Sequence, residues 1–209
     1  MQNLLTPEQM EGALKLKATD LHSYYLQNDG NGKFTPGLLP PVAQISVLNG
    51  MVAEDFDHDG NLDLVATGND FGTELSMGKY DGLNGIYLKG DGKGHFNALS
   101  ILQSGIYFPG NGKALVKLRN SNGHYLLAAS ENQGPMKILQ LRSRSTLIPV
   151  LNTDVSGMLK MKNGKMRKSE FSYGSSFLSQ SSRFILGDDN IQSVEITDNK
   201  GRRRLINIE

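Results

Sequence analysis

Cysteine is absent from the 209 residues, and so is tryptophan. Without thiols the chain forms no disulfide, offers no thiolate nucleophile and holds no Cys-ligated zinc or iron–sulfur centre. The compartment stays open, because bacterial surface proteins often lack cysteine too. A surplus of charge of either sign is also missing. Lys+Arg number 22 and Asp+Glu 21, for a net charge of +1. A nucleic-acid binder normally carries a clear basic excess, so no nucleic-acid partner is expected. No apolar run approaches the ~20 residues of a membrane-spanning helix. The opening Met1-Gln2-Asn3-Leu4-Leu5-Thr6-Pro7-Glu8 has neither the basic nor the apolar stretch of a signal peptide. The expectation is a cytosolic protein or a piece of something longer.

Glycine, by contrast, is plentiful, with 24 residues against only seven prolines. Excess glycine without excess proline points to many tight turns between short strands. The length suits one ordinary domain or two small ones, with a real core in either case. The charge is unevenly spread. Residues 1–141 carry 10 basic and 14 acidic side chains (net −4), whereas 142–209 carry 12 and 7 (net +5). The two parts are expected to differ in kind.

The chain repeats itself. Residues 25–34, YLQNDGNGKF, match residues 87–96, YLKGDGKGHF, at six of ten positions and an offset of 62. Residues 55–69 and 118–132 match at an offset of 63 through Gly60/Gly123, Leu64/Leu127, Ala66/Ala129 and Asn69/Asn132. The unit is therefore about 60 residues long. Within it, Ile45-Ser-Val-Leu, Met51-Val-Ala, Leu62-Asp-Leu-Val-Ala and Gly85-Ile-Tyr-Leu are short runs bounded by Gly, Asn or Asp. About four strands per repeated unit is the pattern of propeller blades. One blade ends near Phe34, a complete one spans about 43–98 and another about 105–141. The expected fold is all-β, a partial β-propeller of about two to three four-stranded blades over residues 23–141. Two and a half blades cannot close a ring of ~4–8, so the chain reads as part of a larger propeller or one completed by association. Residues 1–22 form a lead-in. Thr6 as N-cap and Pro7 at the first helical position predict a helix over Pro7–Asp20, weakened by Gly12.

The strongest local motif is Asp55-Phe56-Asp57-His58-Asp59-Gly60-Asn61-Leu62-Asp63. Carboxylates at Asp55, Asp57 and Asp59 converge if the chain turns sharply, and Gly60 permits the turn. The carbonyl of Asn61 adds a neutral oxygen, and Asp63 can close the shell. Four carboxylates so close repel one another without a cation, and all-oxygen ligands favour Ca²⁺ over zinc or copper. An EF-hand is excluded, because its bidentate Glu position is Ala66 and Leu64-Val-Ala-Thr begins a strand. The expectation is a calcium loop between strands, set against the plainer reading of an Asp-rich turn in solvent. By alternation His58 points away from the metal, as a surface residue. In the next repeat the four Asp positions are Leu118, Asn120, Asn122 and Leu126, so no calcium is expected there. The ion then acts as a structural clip.

The Asp-rich loop followed by a strand resembles the FG-GAP/VCBS blades of integrin-type β-propellers. Gly90–Phe96 and Asp29–Phe34 resemble the end of a VCBS-type blade. Residues 171–209 resemble the ASPIC/UnbV domain through Gly174-Ser-Ser-Phe177-Leu178-Ser179-Gln180-Ser181, a middle turn at Ile185-Leu-Gly187, a strand at Val194-Glu-Ile196 and a turn at Asp198-Asn-Lys-Gly201. The family's Trp-Pro-x-Gly turn is replaced there. The resemblance covers about residues 23–209. It implies a small C-terminal β domain over 142–209, and an extracellular or outer-membrane surface protein whose partner is a protein or glycan.

Catalytic motifs are missing. His22, His58, His95 and His124 form no H-x-x-x-H or H-x-H pair for zinc. Gly174-Ser175-Ser176 is no nucleophile elbow, and Gly110–Ala114 fails as a P-loop. The glycines of Gly90–Gly94 suit a hairpin turn. Lys160, Lys162, Lys165, Arg167, Lys168 and Arg202-Arg203-Arg204 are read as the solvent-facing side of alternating strands, or else as a patch for an anionic partner. Ser179, Gln180, Ser181 and Arg183 are candidate ligand-binding residues, since a dense polar cluster can bind a sugar or fix a turn. The expected function is a non-enzymatic, calcium-stabilised binding or adhesion module. The other class is an accessory part of a polysaccharide-degrading enzyme.

Overall fold

The structure is a computed structural model that describes residues 6–14, 16–76, 78–142, 146–174 and 179–208. Fifteen strands and only single turns of helix make the described chain all-β. The lead-in is not the helix expected over Pro7–Asp20. One 3-10 turn covers Glu8–Met10, and Gly12 follows at φ 76°. Leu14 and Leu16 beyond it are left in solvent. A helix this short depends on packing an apolar face, and the lead-in buries none.

Strands β1 (Tyr24–Gly30) and β2 (Lys33–Leu38) form an exposed antiparallel hairpin. Next comes a four-stranded antiparallel meander of β3 (Leu48–Glu54), β4 (Asp63–Gly68), β5 (Ile86–Gly90) and β6 (Phe96–Leu99). The count of four matches the sequence, but not the composition. Met51-Val-Ala lies inside β3, while Ile45–Val47 follow a 3-10 turn, Pro41–Gln44, and stay outside it. The fourth strand is β6, beyond the glycine turn. The following sheet has three strands, β7 (Gly112–Arg119), β8 (Tyr125–Glu131) and β9 (Lys137–Gln140).

The sequence repeat is a structural repeat. In β1–β2, Gln27 pairs with Thr35 and Asn28 with Phe34. In β5–β6, Lys89 pairs with Asn97 and Gly90 with Phe96. Each pair is the other shifted by 62. Between β3 and β7 the backbones nearly touch. A Cβ on Gly50 would lie 2.3 Å from the amide nitrogen of Leu115, so only glycine allows this approach.

The C-terminal part pairs β10 (Thr146–Pro149) with β13 (Phe184–Gly187). It builds a second four-stranded sheet in the order β12 (Met166–Glu170), β11 (Asp154–Met161), β14 (Ile191–Asp198), β15 (Arg203–Asn207). Ile185-Leu-Gly187, expected as a turn, is strand, because Phe184 to Gly187 are all buried and pair with β10. Successive residues of a strand face opposite ways. Thus Phe184 and Leu186 join the core of Val52, Phe56, Val65, Tyr87, Leu115, Tyr125 and Leu127. Ile185 joins the other core, with Ile148, Leu159, Val194 and Ile196. The boundary at 142 therefore separates sheets, but the core that holds Phe184 and Leu186 spans it. An aromatic chain crosses it: Phe56 meets Tyr125 at 5.8 Å, and Tyr125 meets Phe184 edge-to-face at 5.5 Å. Burying a side chain of this size is worth roughly 1.5–3 kcal/mol.

Candidate metal centre

The loop Asp55–Leu62 joins β3 to β4, and its geometry follows from where it sits. Glu54 pairs with Asp63, so the ladder ends on Asp63 itself and the loop begins at Asp55. In the next sheet the ladder runs on through Leu118–Leu126 and Arg119–Tyr125. Those two leucines stand at the sequence positions of Asp55 and Asp63.

Three of the four expected carboxylate ligands come together. Carboxylate oxygens of Asp55, Asp57 and Asp63 lie within 4.8 Å of one another. Asp59 lies outside this cluster. Its Oδ1 accepts the amide of Asn61 at 2.8 Å, and its Oδ2 meets Lys89 Nζ at 3.1 Å. The Asn61 side chain accepts from Lys165. Asp63, 1% exposed, is the anchor. Its Oδ2 accepts from the Phe56 amide at 3.1 Å and the Tyr87 hydroxyl at 2.6 Å, and its Oδ1 from the Gly90 amide at 3.0 Å. Asp55, 2% exposed, accepts through Oδ2 from the Gly60 amide at 3.0 Å and from Arg167 Nη1 at 2.8 Å. Its Oδ1 is buried and has no hydrogen-bond partner among the described residues. Gly60 holds φ 87° and His58 φ 63°, giving the sharp turn the motif required.

The electrostatics follow from burial. Desolvation pushes the Asp55 carboxyl up, against the opposing pull of Arg167. Desolvation likewise raises Asp63, against the hydrogen bonds from Tyr87 and Gly90. Burial also acts to raise Asp59, but the Asn61 amide and Lys89 outweigh it and hold the group low. Hydrogen bonds to Asp57 and then Asp59 raise Lys89. Tyr87 is raised by burial and by Asp63. Two buried carboxylates kept above their ordinary range, one with a bare inward oxygen, call for positive charge. An all-oxygen donor set of this kind fits a hard cation. Asp55, Asp57 and Asp63 would hold it, and the ammonium of Lys89 bridges Asp57 and Asp59 beside it.

Several residues of the site carried no signal in the sequence. Arg167 reaches Asp55 across 112 residues of chain, and Lys165 donates to the Gly60 carbonyl at 3.1 Å. Asn190 donates to the His58 carbonyl at 2.7 Å. His58, expected at the surface, pairs with Asp188 Oδ2 at 3.1 Å with its side chain only 18% exposed. The C-terminal part covers it. Arg167 is thus not a solvent-facing strand position, because the acidic loop lies against it, whereas Lys165 stays exposed while its ammonium reaches the loop. Arg204 likewise turns inward, bonding both oxygens of Asp154 at 2.6 Å.

The second expected cluster is only partly assembled. Ser181 and Arg183 line a cleft of about 300 Å³ with Glu54, Lys117 and Phe171; Ser179 and Gln180 do not. Ser181 Oγ accepts from the Lys117 amide at 3.1 Å, and the Ser182 amide donates to the Lys117 carbonyl at 2.8 Å. Arg183 donates to the carbonyls of Leu151 and Asn152, each at 3.2 Å, and to that of Asp154. It also stacks on Tyr173 at 4.3 Å. These bonds fix turns. The remaining motif residues, Ser175 to Leu178, lie outside the described residues.

No model of a known protein family matches the chain, and no curated protein matches it. No helix among the described residues is long and apolar enough to cross a membrane.

Proposed function

We propose that the chain is a non-catalytic, calcium-binding repeat module of the β-propeller type, part of a surface or secreted protein that binds a protein or glycan partner. The observation that carries the calcium reading is the buried Asp55 Oδ1, which lacks a partner inside a cluster of three carboxylates. The repeat reading is supported by the 62-residue shift that superposes the registers of two hairpins and by the meander order of β3 to β6. The ion would tie the end of β3 to the start of β4 where the ladder ends. Asp59 would join the shell only by turning away from Lys89.

The test is a thermal melt in calcium and in EGTA, on the wild type and on Asp55→Asn. Binding to the folded state alone raises stability by about 2.7 kcal/mol at 100 times Kd. For a chain of this size that is a rise of roughly 5–11 °C. The expected result is a calcium-dependent rise in the wild type that Asp55→Asn removes. An unchanged wild-type midpoint overturns the calcium reading.

A further inference from the structure

The hairpin β1–β2 is the outer half of a sheet whose inner half is missing from its side. Its register is that of β5–β6 shifted by 62. In the complete sheet, β5 also pairs on its other edge with β4, through Leu64–Leu88, Val65–Tyr87 and Ala66–Ile86. The corresponding residues of β1 are Leu26, Tyr25 and Tyr24, and among the described residues β1 has β2 as its only strand partner. The exposures show what this costs. Ile86, Tyr87 and Leu88 are 4%, 8% and 0% exposed, whereas Tyr24, Tyr25 and Leu26 are 38%, 37% and 59% exposed. The same positions, in the same register, are core in one hairpin and open in the other.

The hairpin is nevertheless held in place for a partner. Tyr25 packs edge-to-face on Phe96 at 5.7 Å. The Ser23 amide donates to Gln44 Oε1 at 2.7 Å, and Gln44 Nε2 returns bonds to the carbonyls of Ser23 and Leu39. A fixed strand with a bare edge is a template for strand addition.

We propose that the free edge of β1 is a docking site for one further antiparallel β-strand of the β4 type. Such a strand carries apolar side chains in the pattern Leu-Val-Ala and sets its first leucine opposite Leu26. Main-chain hydrogen bonds give the affinity. The pairing of Leu64 with Leu88 in the intact sheet gives the register. The proposal rests on the repeat and not on calcium, so the melt described above can fail without touching it.

The chain has no cysteine, which makes register directly measurable. Leu26→Cys and, separately, Gln27→Cys are placed in the 209-residue chain. Each is mixed in a thiol–disulfide buffer with a peptide of residues 61–69 carrying Cys in place of Leu64. Directly opposed residues of a strand pair have Cβ atoms ≈ 4.5–5.5 Å apart, and adjacent strand positions face opposite ways. The expected result is disulfide formation at least tenfold faster at Leu26→Cys than at Gln27→Cys, lost with a scrambled peptide. Equal rates at the two positions, or no dependence on peptide sequence, overturn the proposal. Sedimentation of the unlabelled chain is the second measurement. Concentration-dependent dimerisation that Leu26→Lys abolishes would overturn it differently, by making a second copy of the chain the occupant.

Discussion

Arg167, in β12, donates to Asp55, at the end of β3, at 2.8 Å, with side chains 11% and 2% exposed. This pair joins the basic C-terminal part to the acidic loop of the repeat. A buried ion pair adds little net stability, but losing one partner strands the other charge. Arg167→Met should therefore cost about 3–5 kcal/mol in EGTA. Calcium, if it occupies the loop, should restore part of the loss. Paired chemical denaturation curves with and without calcium read both effects. An equal loss in the two conditions would mean that the arginine and the ion do not share Asp55.

The carboxylates should not be equivalent. Asp55 and Asp57 belong to the cluster, whereas Asp59 lies outside it and accepts the Asn61 amide; Lys89 bridges Asp57 and Asp59. Asp57→Asn should remove calcium binding in isothermal titration, and Asp59→Asn should weaken it by no more than about tenfold, which is 1.4 kcal/mol. The reverse order would place Asp59 at the centre of the shell.

Gly50 permits the contact between β3 and β7. In Gly50→Ala the new methyl meets backbone atoms of Ala114 and Leu115, and backbone cannot swing aside as a flexible side chain does. The expected loss is about 1–3 kcal/mol. Gly164→Ala is the control. It sits at φ 86° with open space around its Cβ position, so any loss there reflects backbone conformation alone. A denaturation midpoint for Gly50→Ala equal to that of the wild type would mean that the sheets separate freely.

The acid limb of stability should depend on Asp154. Its carboxyl is lowered from the ordinary 3.8, first by the hydrogen bonds from Arg204, with burial opposing. A carboxylate lowered on folding contributes stability that is fully present above its unfolded value. That contribution is withdrawn as the pH falls through the lowered folded value. The contribution of Asp154 is thus intact above about pH 4 and lost below it. Melting wild type and Asp154→Asn from pH 7 to pH 2 should give a shallower acid limb for the variant. Parallel limbs would remove Asp154 from the account.

What the sequence determined on its own is local or periodic. Strand alternation, glycine turns and the 62-residue echo gave the all-β class and the hairpin at Asp91–His95, because each depends on neighbours within a few residues. The alternate aspartates of Asp55 to Asp63 marked the acidic loop, and Leu118 and Leu126 marked a counterpart without carboxylates. The lead-in was misread for a related reason: a cap and a proline permit a helix but cannot supply the surface it needs. What only the tertiary structure decided are meetings between residues far apart in the chain. Arg167 on Asp55, Asn190 on His58 and Phe184 on Tyr125 depend on how two sheets pack. Alternation along β12 places Arg167 on one face of its sheet, but what lies opposite that face is set by the fold alone. The same holds for the bare edge of β1. The repeat names the residues that a fourth-strand partner covers, and only the packed structure shows them uncovered.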